Sequence, residues 1–360
     1  CRLKYLMKGN EALAEAAIRA GLKGYFGYPI TPQSELLEYL AAELPKRGGV
    51  MVQAESEVAS INMVYGAAGT GERVMTSTSS PGFSLMQEGV SYIACTELPC
   101  LLVNVVRGGP GLGTIQPAQS DYFQAVKGGG HGDYKIIVLA PSSVQEMADF
   151  VYRGFDLADE YRMPVLILAD GAIGQMMEAV EFPEYDPEKD RVDHSSWTTV
   201  GQPEDEERHI ITSLFLDPDI MEKVNLKLQD KYKTIQEKEV QFETVMVEDA
   251  NYLVVAYGLS ARVSHKAVEL AREQGIKVGL LRPQTLFPFP SDALSNYASK
   301  VQRMLVVEMN AGQMVEDVRL AVEGKVPIEF YGKMGGAIPT PEEVLDQIKI
   351  LSSFKIVKGS

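Results

Sequence analysis

Apolar residues recur along this chain in two rhythms that take turns. One has the spacing of a helix face; the other is a short unbroken run closed by glycine or proline, as in a buried strand. Leu13, Ala16, Ala17 and Ala20 share one face of a helix predicted over 10–20, with Asn10 as its cap and Gly21 and Gly24 after its end. Tyr25-Phe26-Gly27-Tyr28-Pro29 reads as a buried strand running into a turn, and Pro32, at a first helical position, opens a helix over 33–44. Further strands are predicted at 51–53, 73–76, 101–106, 135–139 and 164–169, with helices at 58–68, 83–94, 120–125 and 144–158. Strands separated by helices pair in parallel through crossover connections.

The rhythm breaks over 181–248, an acidic stretch with Pro183, Pro187, Pro203 and Pro218, the sole tryptophan Trp197, and a charged helical run over 219–245. It then resumes. A strand over 251–257, the turn Gly258-Leu259-Ser260 and a helix over 261–274 lead to strands at 277–281, 303–308 and 328–331, with a helix over 313–322. A closing helix over 341–351 starts from a capping box of Thr340 and Glu343. The expected fold is α/β with two domains, 1–185 and 249–360, each a mostly parallel sheet flanked by helices, joined by an acidic linker or arm over 186–248.

Composition narrows the function. The 45% hydrophobic and 23% charged fractions are those of an ordinary globular chain, which excludes a fibre or a disordered scaffold. The formal net charge of −15 sets the chain against phosphate backbones and anionic lipid, so neither nucleic acid nor membrane is an expected partner. Every apolar run falls short of the ~18 residues that cross a bilayer. Cys95 and Cys100, with four residues between them, fit neither a redox pair nor a zinc set and are expected to be reduced thiols in the cytoplasm. Cys1 is expected to reflect processing rather than a lipid anchor. His131, His194, His209 and His265 are scattered, no metal site emerges, and only His131 lies in a glycine-rich loop near enough in pattern to approach a site.

Three segments carry chemistry. In Tyr28-Pro29-Ile30-Thr31-Pro32 a hydroxyl follows a strand into the carboxyl edge of a sheet, where open α/β folds bind ligands, although Thr31 also suits a plain helix cap. Glu57 follows a strand and leads into the apolar run Val58-Ala59-Ser60-Ile61; a half-buried carboxyl there can share a proton with a ligand nitrogen, or simply favour the helix dipole. Arg107 ends an apolar strand before Gly108-Gly109-Pro110-Gly111-Leu112-Gly113, a pattern that lets a guanidinium grip a carboxylate, or that is only a flexible loop. No dinucleotide fingerprint or nucleophile elbow is present, which disfavours a nicotinamide dehydrogenase.

Taken in order, these segments resemble the alpha subunit of 2-oxoacid:ferredoxin oxidoreductases. Tyr28-Pro29-Ile30-Thr31-Pro32 is similar to that family's signature turn, Glu55-Ser56-Glu57 with Tyr65-Gly66-Ala67 to its catalytic-glutamate segment, Thr76 to Met86 to its next loop and helix, and Arg107 to its substrate arginine. The resemblance implies a thiamine diphosphate pyrimidine-binding domain followed by a transketolase C-terminal-like domain. It further implies Glu57 on the pyrimidine ring, Pro29, Ile30, Ser80 and Gly82 around the cofactor, and Thr31 and Arg107 on the substrate carboxylate.

Arg107–Gly113 and Gly128–Tyr134 are closest to the branched-chain (2-oxoisovalerate) subgroup, because Gly111-Leu112-Gly113 stands where 2-oxoglutarate relatives usually carry Ser-Thr-Gly. No Gly-Asp-Gly…Asn element and no cluster-ligating cysteines are present. Magnesium, the diphosphate site and the iron–sulfur clusters are therefore expected on partner chains: a beta subunit, a gamma subunit and a ferredoxin-like subunit. Ferredoxin and coenzyme A are the implied co-substrates. A non-catalytic assembly module is the rival from another class.

Overall fold

Valine, leucine and isoleucine fill the strands Cys100–Val106 and Pro164–Asp170, and every residue of both is buried. Strands apolar on both faces need cover on both, and these two lie side by side in a seven-stranded sheet. The structure, a computed structural model, describes residues 3–187, 189, 191–201 and 207–353. Cys1 and Pro203 lie outside the described residues. The sheet runs Thr285–Phe287, Ile137–Leu139, Pro164–Asp170, Cys100–Val106, Val74–Thr78, Gly24–Gly27, Val50–Gln53. All neighbours are parallel except the first pair. Helices Glu57–Ala68 and Ser80–Cys95 pack together, as do the alanine-rich Gly9–Arg19 and Val144–Tyr161; right-handed crossovers put the two pairs on opposite faces.

A second sheet of five strands runs Ile328–Gly332, Arg303–Glu308, Tyr252–Val255, Val278–Pro283, Phe242–Val245, parallel except at its last pair. Its fifth strand departs from expectation. The helix predicted over 219–245 is Pro218–Lys238, capped by Asp217, whose Oδ1 accepts from Asp219 N at 2.9 Å. Phe242, Thr244 and Val245 favour an extended chain, and the open edge of Val278–Pro283 gives them a partner. Lys4–Lys8 and Met177–Glu181 form a small antiparallel sheet that the sequence reading did not anticipate.

The two sheets are welded through polar contacts. Thr285–Phe287, which follows the second sheet's Val278–Pro283, extends the edge of the first sheet against Ile137–Leu139. Gln119 donates from Nε2 to Tyr257 O (2.8 Å), and its Oε1 accepts from Ser260 Oγ (2.7 Å) and Met309 N (3.0 Å). Arg282 grips Glu146 with two bonds of 2.8 and 2.7 Å. Asn10 is a further correction. The helix Gly9–Arg19 is capped at Lys8, whose N–H donates to Glu11 at 3.2 Å, and the Asn10 amide instead donates to Pro32 O at 2.8 Å and Glu35 Oε2 at 3.1 Å.

Candidate active site

Four adjacent parallel strands, Val50–Gln53, Gly24–Gly27, Val74–Thr78 and Cys100–Val106, end on one edge of the large sheet. The residues that follow them are Glu57, the turn Tyr28–Pro32, the helix start Ser80-Pro81-Gly82, and Arg107. The topology therefore gathers at one edge the side chains singled out from sequence, at the place where open α/β sheets bind ligands.

Glu57 is the first residue of Glu57–Ala68, after the cap Ser56, whose Oγ accepts from Ala59 N at 3.2 Å. It is only 6% exposed, deeper than the half-buried position expected, and its carboxylate takes part in no hydrogen bond or ion pair among the described residues. Gly82 faces it: a Cβ there would stand 2.6 Å from Glu57 Oε1 and 2.0 Å from Thr78 Oγ1. Only a residue without a side chain lets the Ser80–Cys95 helix lie this close to the carboxylate.

The Thr31 turn is fixed from behind. Pro32 O accepts from Asn10 and, at 3.2 Å, from Gln175. Gln33 is fully buried, donates to Tyr28 O at 3.5 Å and accepts from Ser77 Oγ at 2.7 Å, which lies 2.7 Å from the Tyr25 hydroxyl. Thr31 does not cap the next helix: Ser34–Glu43 has Gln33 at that position, so Pro32 precedes the helix rather than opening it. The Thr31 side chain is left exposed, with no hydrogen bond among the described residues. Pro29 and Ile30 stand in the same turn.

Arg107 donates from Nη1 to Thr31 O at 3.0 Å and from Nη2 to Leu112 O at 3.1 Å, while its Nε is buried without a partner. No carboxylate among the described residues pairs with it. Its backbone is tied to Ser80, whose Oγ accepts from Arg107 N at 3.1 Å and donates to Arg107 O at 3.2 Å. The Gly108–Gly113 loop folds back on itself, with Thr114 N donating to Gly108 O at 2.8 Å and Gly113 at a positive φ of 59°. Gly108 also faces the second unit: a Cβ there would stand 2.7 Å from the carbonyl carbon of Gly335.

Between this loop and the second sheet's loops opens a cleft of about 530 Å³. Ser80, Arg107 and Gly109–Gly111 line it from one side, Met309, Asn310, Gln313 and Met334 from the other. Sequence reasoning missed Asp121, which lines the cleft too. Burial pushes its carboxyl above the usual carboxylate range, against the hydrogen bonds from Ser80 and Asn104 that pull it back. Nothing in its local sequence marks it. His131 does not reach the site: it packs edge-on against Tyr92, 6.0 Å between ring centres, and Ser91 Oγ donates to its carbonyl at 2.7 Å. Along the Ser80–Cys95 helix, Ser91 is ~16 Å from Ser80 at 1.5 Å per residue.

Residues 15–248 match the family described as pyruvate flavodoxin/ferredoxin oxidoreductase, thiamine diP-binding, and residues 250–344 match pyruvate:ferredoxin oxidoreductase core domain II. The chain belongs to this family. Within it, the chain is an alpha-type subunit of a 2-oxoacid:ferredoxin oxidoreductase. The ketoisovalerate oxidoreductase subunit VorB of Methanothermobacter thermautotrophicus is 51% identical, over 96% of this chain and 97% of that one. The 2-oxoglutarate synthase subunit KorA of the same organism is 40% identical, over 96% and 98%.

Among solved structures, the 2-oxoglutarate:ferredoxin oxidoreductase from Magnetococcus marinus with 2-oxoglutarate, coenzyme A and succinyl-CoA bound superposes with a TM-score of 0.88 at 30% identity. That match covers 96% of this chain, which spans 65% of the longer one. A split-gene transketolase, an inactive beta4 tetramer, shares the fold with a TM-score of 0.60 at 14% identity. Among the described residues no helix is long and apolar enough to cross a membrane.

Proposed function

We propose that this chain is the alpha subunit of an enzyme that oxidatively decarboxylates the branched-chain 2-oxoacid 3-methyl-2-oxobutanoate. With coenzyme A the products are the acyl-CoA and carbon dioxide, and two electrons pass to ferredoxin. The observation that carries the reading is Glu57. A carboxylate that is buried, unpartnered among the described residues and fitted against a glycine suits a ligand nitrogen, which is what the pyrimidine ring of thiamine diphosphate offers. When bound, thiamine diphosphate supplies the carbon nucleophile and the electron sink of the reaction.

Glu57 would hold the proton at the ring nitrogen, while Gly82, Ser80, Pro29 and Ile30 shape the wall on which the ring rests. The Arg107 guanidinium, paired with no carboxylate among the described residues, would bind the substrate carboxylate, with the Thr31 hydroxyl donating a further bond. Charge in the cleft favours a substrate with one carboxylate. Arg107 is the one cation among the cleft-lining residues and Asp121 the one acid, so the distal carboxylate of 2-oxoglutarate would meet no positive partner from this chain. The greater identity to ketoisovalerate than to 2-oxoglutarate subunits points the same way.

The rim supports a partner over the site. Leu112 is 81% exposed, and Leu85, Val58 and Met63 are exposed around the same edge, an apolar border suited to a second chain. We assign the diphosphate and Mg2+ to that beta subunit and the iron–sulfur clusters to partner chains, with gamma and ferredoxin-like subunits completing a cytoplasmic assembly. The cytoplasmic setting fits Cys95 and Cys100, whose thiols burial raises above their ordinary range.

The test compares oxoacids in the assembled complex. Ferredoxin reduction with 3-methyl-2-oxobutanoate should exceed that with 2-oxoglutarate in kcat/KM by about a hundredfold, the effect of one uncompensated charge; the reverse order would assign the chain to 2-oxoglutarate. Glu57→Gln should abolish turnover and leave assembly intact, and retained turnover would refute the glutamate's role.

A further inference from the structure

The cleft has two unlike walls. Arg107 brings positive charge to one, and the loops after Arg303–Glu308 and Ile328–Gly332 build the other. The polar side chains of that far wall are spent inside the protein. Asn310 donates from Nδ2 to Gln119 O and Glu308 Oε2, both at 2.8 Å, and its Oδ1 accepts from Gly312 N at 2.8 Å. Gln313 donates to Ser120 O and accepts from Phe123 N, both at 2.8 Å. Met309 is buried. Met334, by contrast, is 63% exposed, the one large apolar side chain left open among the described residues that line the cleft. Its place is set by backbone packed on backbone. Gly335 and Gly336 have positive φ of 65° and 99°, which a residue with a Cβ resists. A Cβ on Gly108 would stand 2.7 Å from Gly335 C and 2.8 Å from Gly336 N, and one on Gly336 would stand 2.5 Å from Gln116 Cβ. Arg107 precedes one side of this contact by a single residue, and Met334 precedes the other side likewise.

We propose that Met334 is a specificity-determining residue, which packs against the branched side chain of a 2-oxoacid whose carboxylate is held by Arg107. The inference rests on the 2-oxoacid reading above and deepens it, by naming the group of this chain that selects an apolar over a charged side chain. Methionine suits that task. Its unbranched, polarisable thioether adapts to irregular apolar shapes, and it offers a second carboxylate neither charge nor a donor. A distal carboxylate placed against it loses water and gains nothing in return.

The experiment uses the assembled enzyme and compares oxoacids as ratios of kcat/KM in ferredoxin reduction, in which any effect on assembly or electron transfer cancels. Met334 lies on a loop and is open, so its exchange leaves the core intact. Met334→Ala should lower the ratio of 3-methyl-2-oxobutanoate to pyruvate by about tenfold, because the two extra methyl groups lose their contact. Met334→Leu, which keeps the apolar bulk, should hold that ratio within about threefold of wild type. Met334→Lys adds a cation to a cleft in which Arg107 is the one cation among the described lining residues. It should raise the ratio of 2-oxoglutarate to 3-methyl-2-oxobutanoate by at least about tenfold, a gain that shrinks as salt is added. An unchanged ratio in Met334→Ala, or a Met334→Lys variant that handles 2-oxoglutarate no better than Met334→Leu, would overturn the proposal. A wild-type complex that oxidises no 2-oxoacid, or that prefers 2-oxoglutarate, sinks the functional reading instead, so the two failures stay distinct.

Discussion

Gly82 sets how closely a helix can approach the buried Glu57 carboxylate. Substituting Gly82→Ala places a methyl group 2.0 Å from Thr78 Oγ1 and 2.6 Å from Glu57 Oε1, and both neighbours are buried. Overpacking of this kind costs about 1–3 kcal/mol, so the variant should melt several degrees lower, and its turnover in the complex should fall by at least about tenfold as Glu57 is displaced. Thermal unfolding and ferredoxin reduction check the two halves of that expectation; an unaltered turnover would mean that Glu57 is not held by this contact. Glu57, Thr31 and Arg107 were readable from sequence because each follows a predicted strand, and the carboxyl ends of parallel strands share an edge by construction of the fold. Asp121, Asn104 and Gln119 were not. Their importance lies in hydrogen bonds to residues 17 to 191 positions away, which no local pattern encodes.

At the level of elements, helix starts join the two sheets. Asp170, the last residue of Pro164–Asp170, accepts from Ala172 N and Ile173 N at 2.9 and 3.1 Å, and also from the backbone of Leu259 at the start of Gly258–Glu273. Burial outweighs these bonds and raises its carboxyl to about 6. The unfolded chain releases that proton near pH 4. Between about pH 4 and 6 the folded form therefore holds a proton that the unfolded form has lost, so the stability contributed by Asp170 falls as pH rises through this window and levels off above it. Asp170→Asn keeps a capping oxygen and removes the titration. The stability of wild type relative to this variant, from denaturant unfolding at several pH values, should decline across that window; a constant difference would contradict the assignment. Elements of ten or more residues were found from the sequence with ends displaced by a few positions, except the helix expected to reach 245, which stops at Lys238. Among those that escaped, Lys4–Lys8, Gly171–Gln175, Met177–Glu181 and Thr285–Phe287 are three to five residues long, too short to show a period, and the eight-residue helix Ser291–Ala298 escaped behind the loop-like Pro288 and Pro290. Thr285–Phe287 also sits between Pro283 and Pro288, which by themselves read as a loop.

For the molecule as a whole, the proposed site is half a site. Arg107 lines the cleft, exposed apolar side chains border that edge of the sheet, and the sequence carries no Gly-Asp-Gly element for a diphosphate. The purified chain with thiamine diphosphate and Mg2+ should therefore release no carbon dioxide from a 2-oxoacid, and activity should appear when a beta-type chain is added. Decarboxylation by the chain alone would remove the case for a shared site.

The three residues Thr285–Phe287 also govern how this protein can be divided. They are the outermost strand of a sheet whose other six strands all lie before residue 171. A chain cut after Glu248 keeps nearly everything that the sequence assigns to the first unit, yet it strips the cover from Ile137–Leu139, whose three residues are wholly buried in the intact protein. A bare, apolar, unpaired border of that kind recruits other chains. Such a fragment should sediment as heterogeneous aggregates rather than monomers, and adding residues 249–353 in trans should return it to solution.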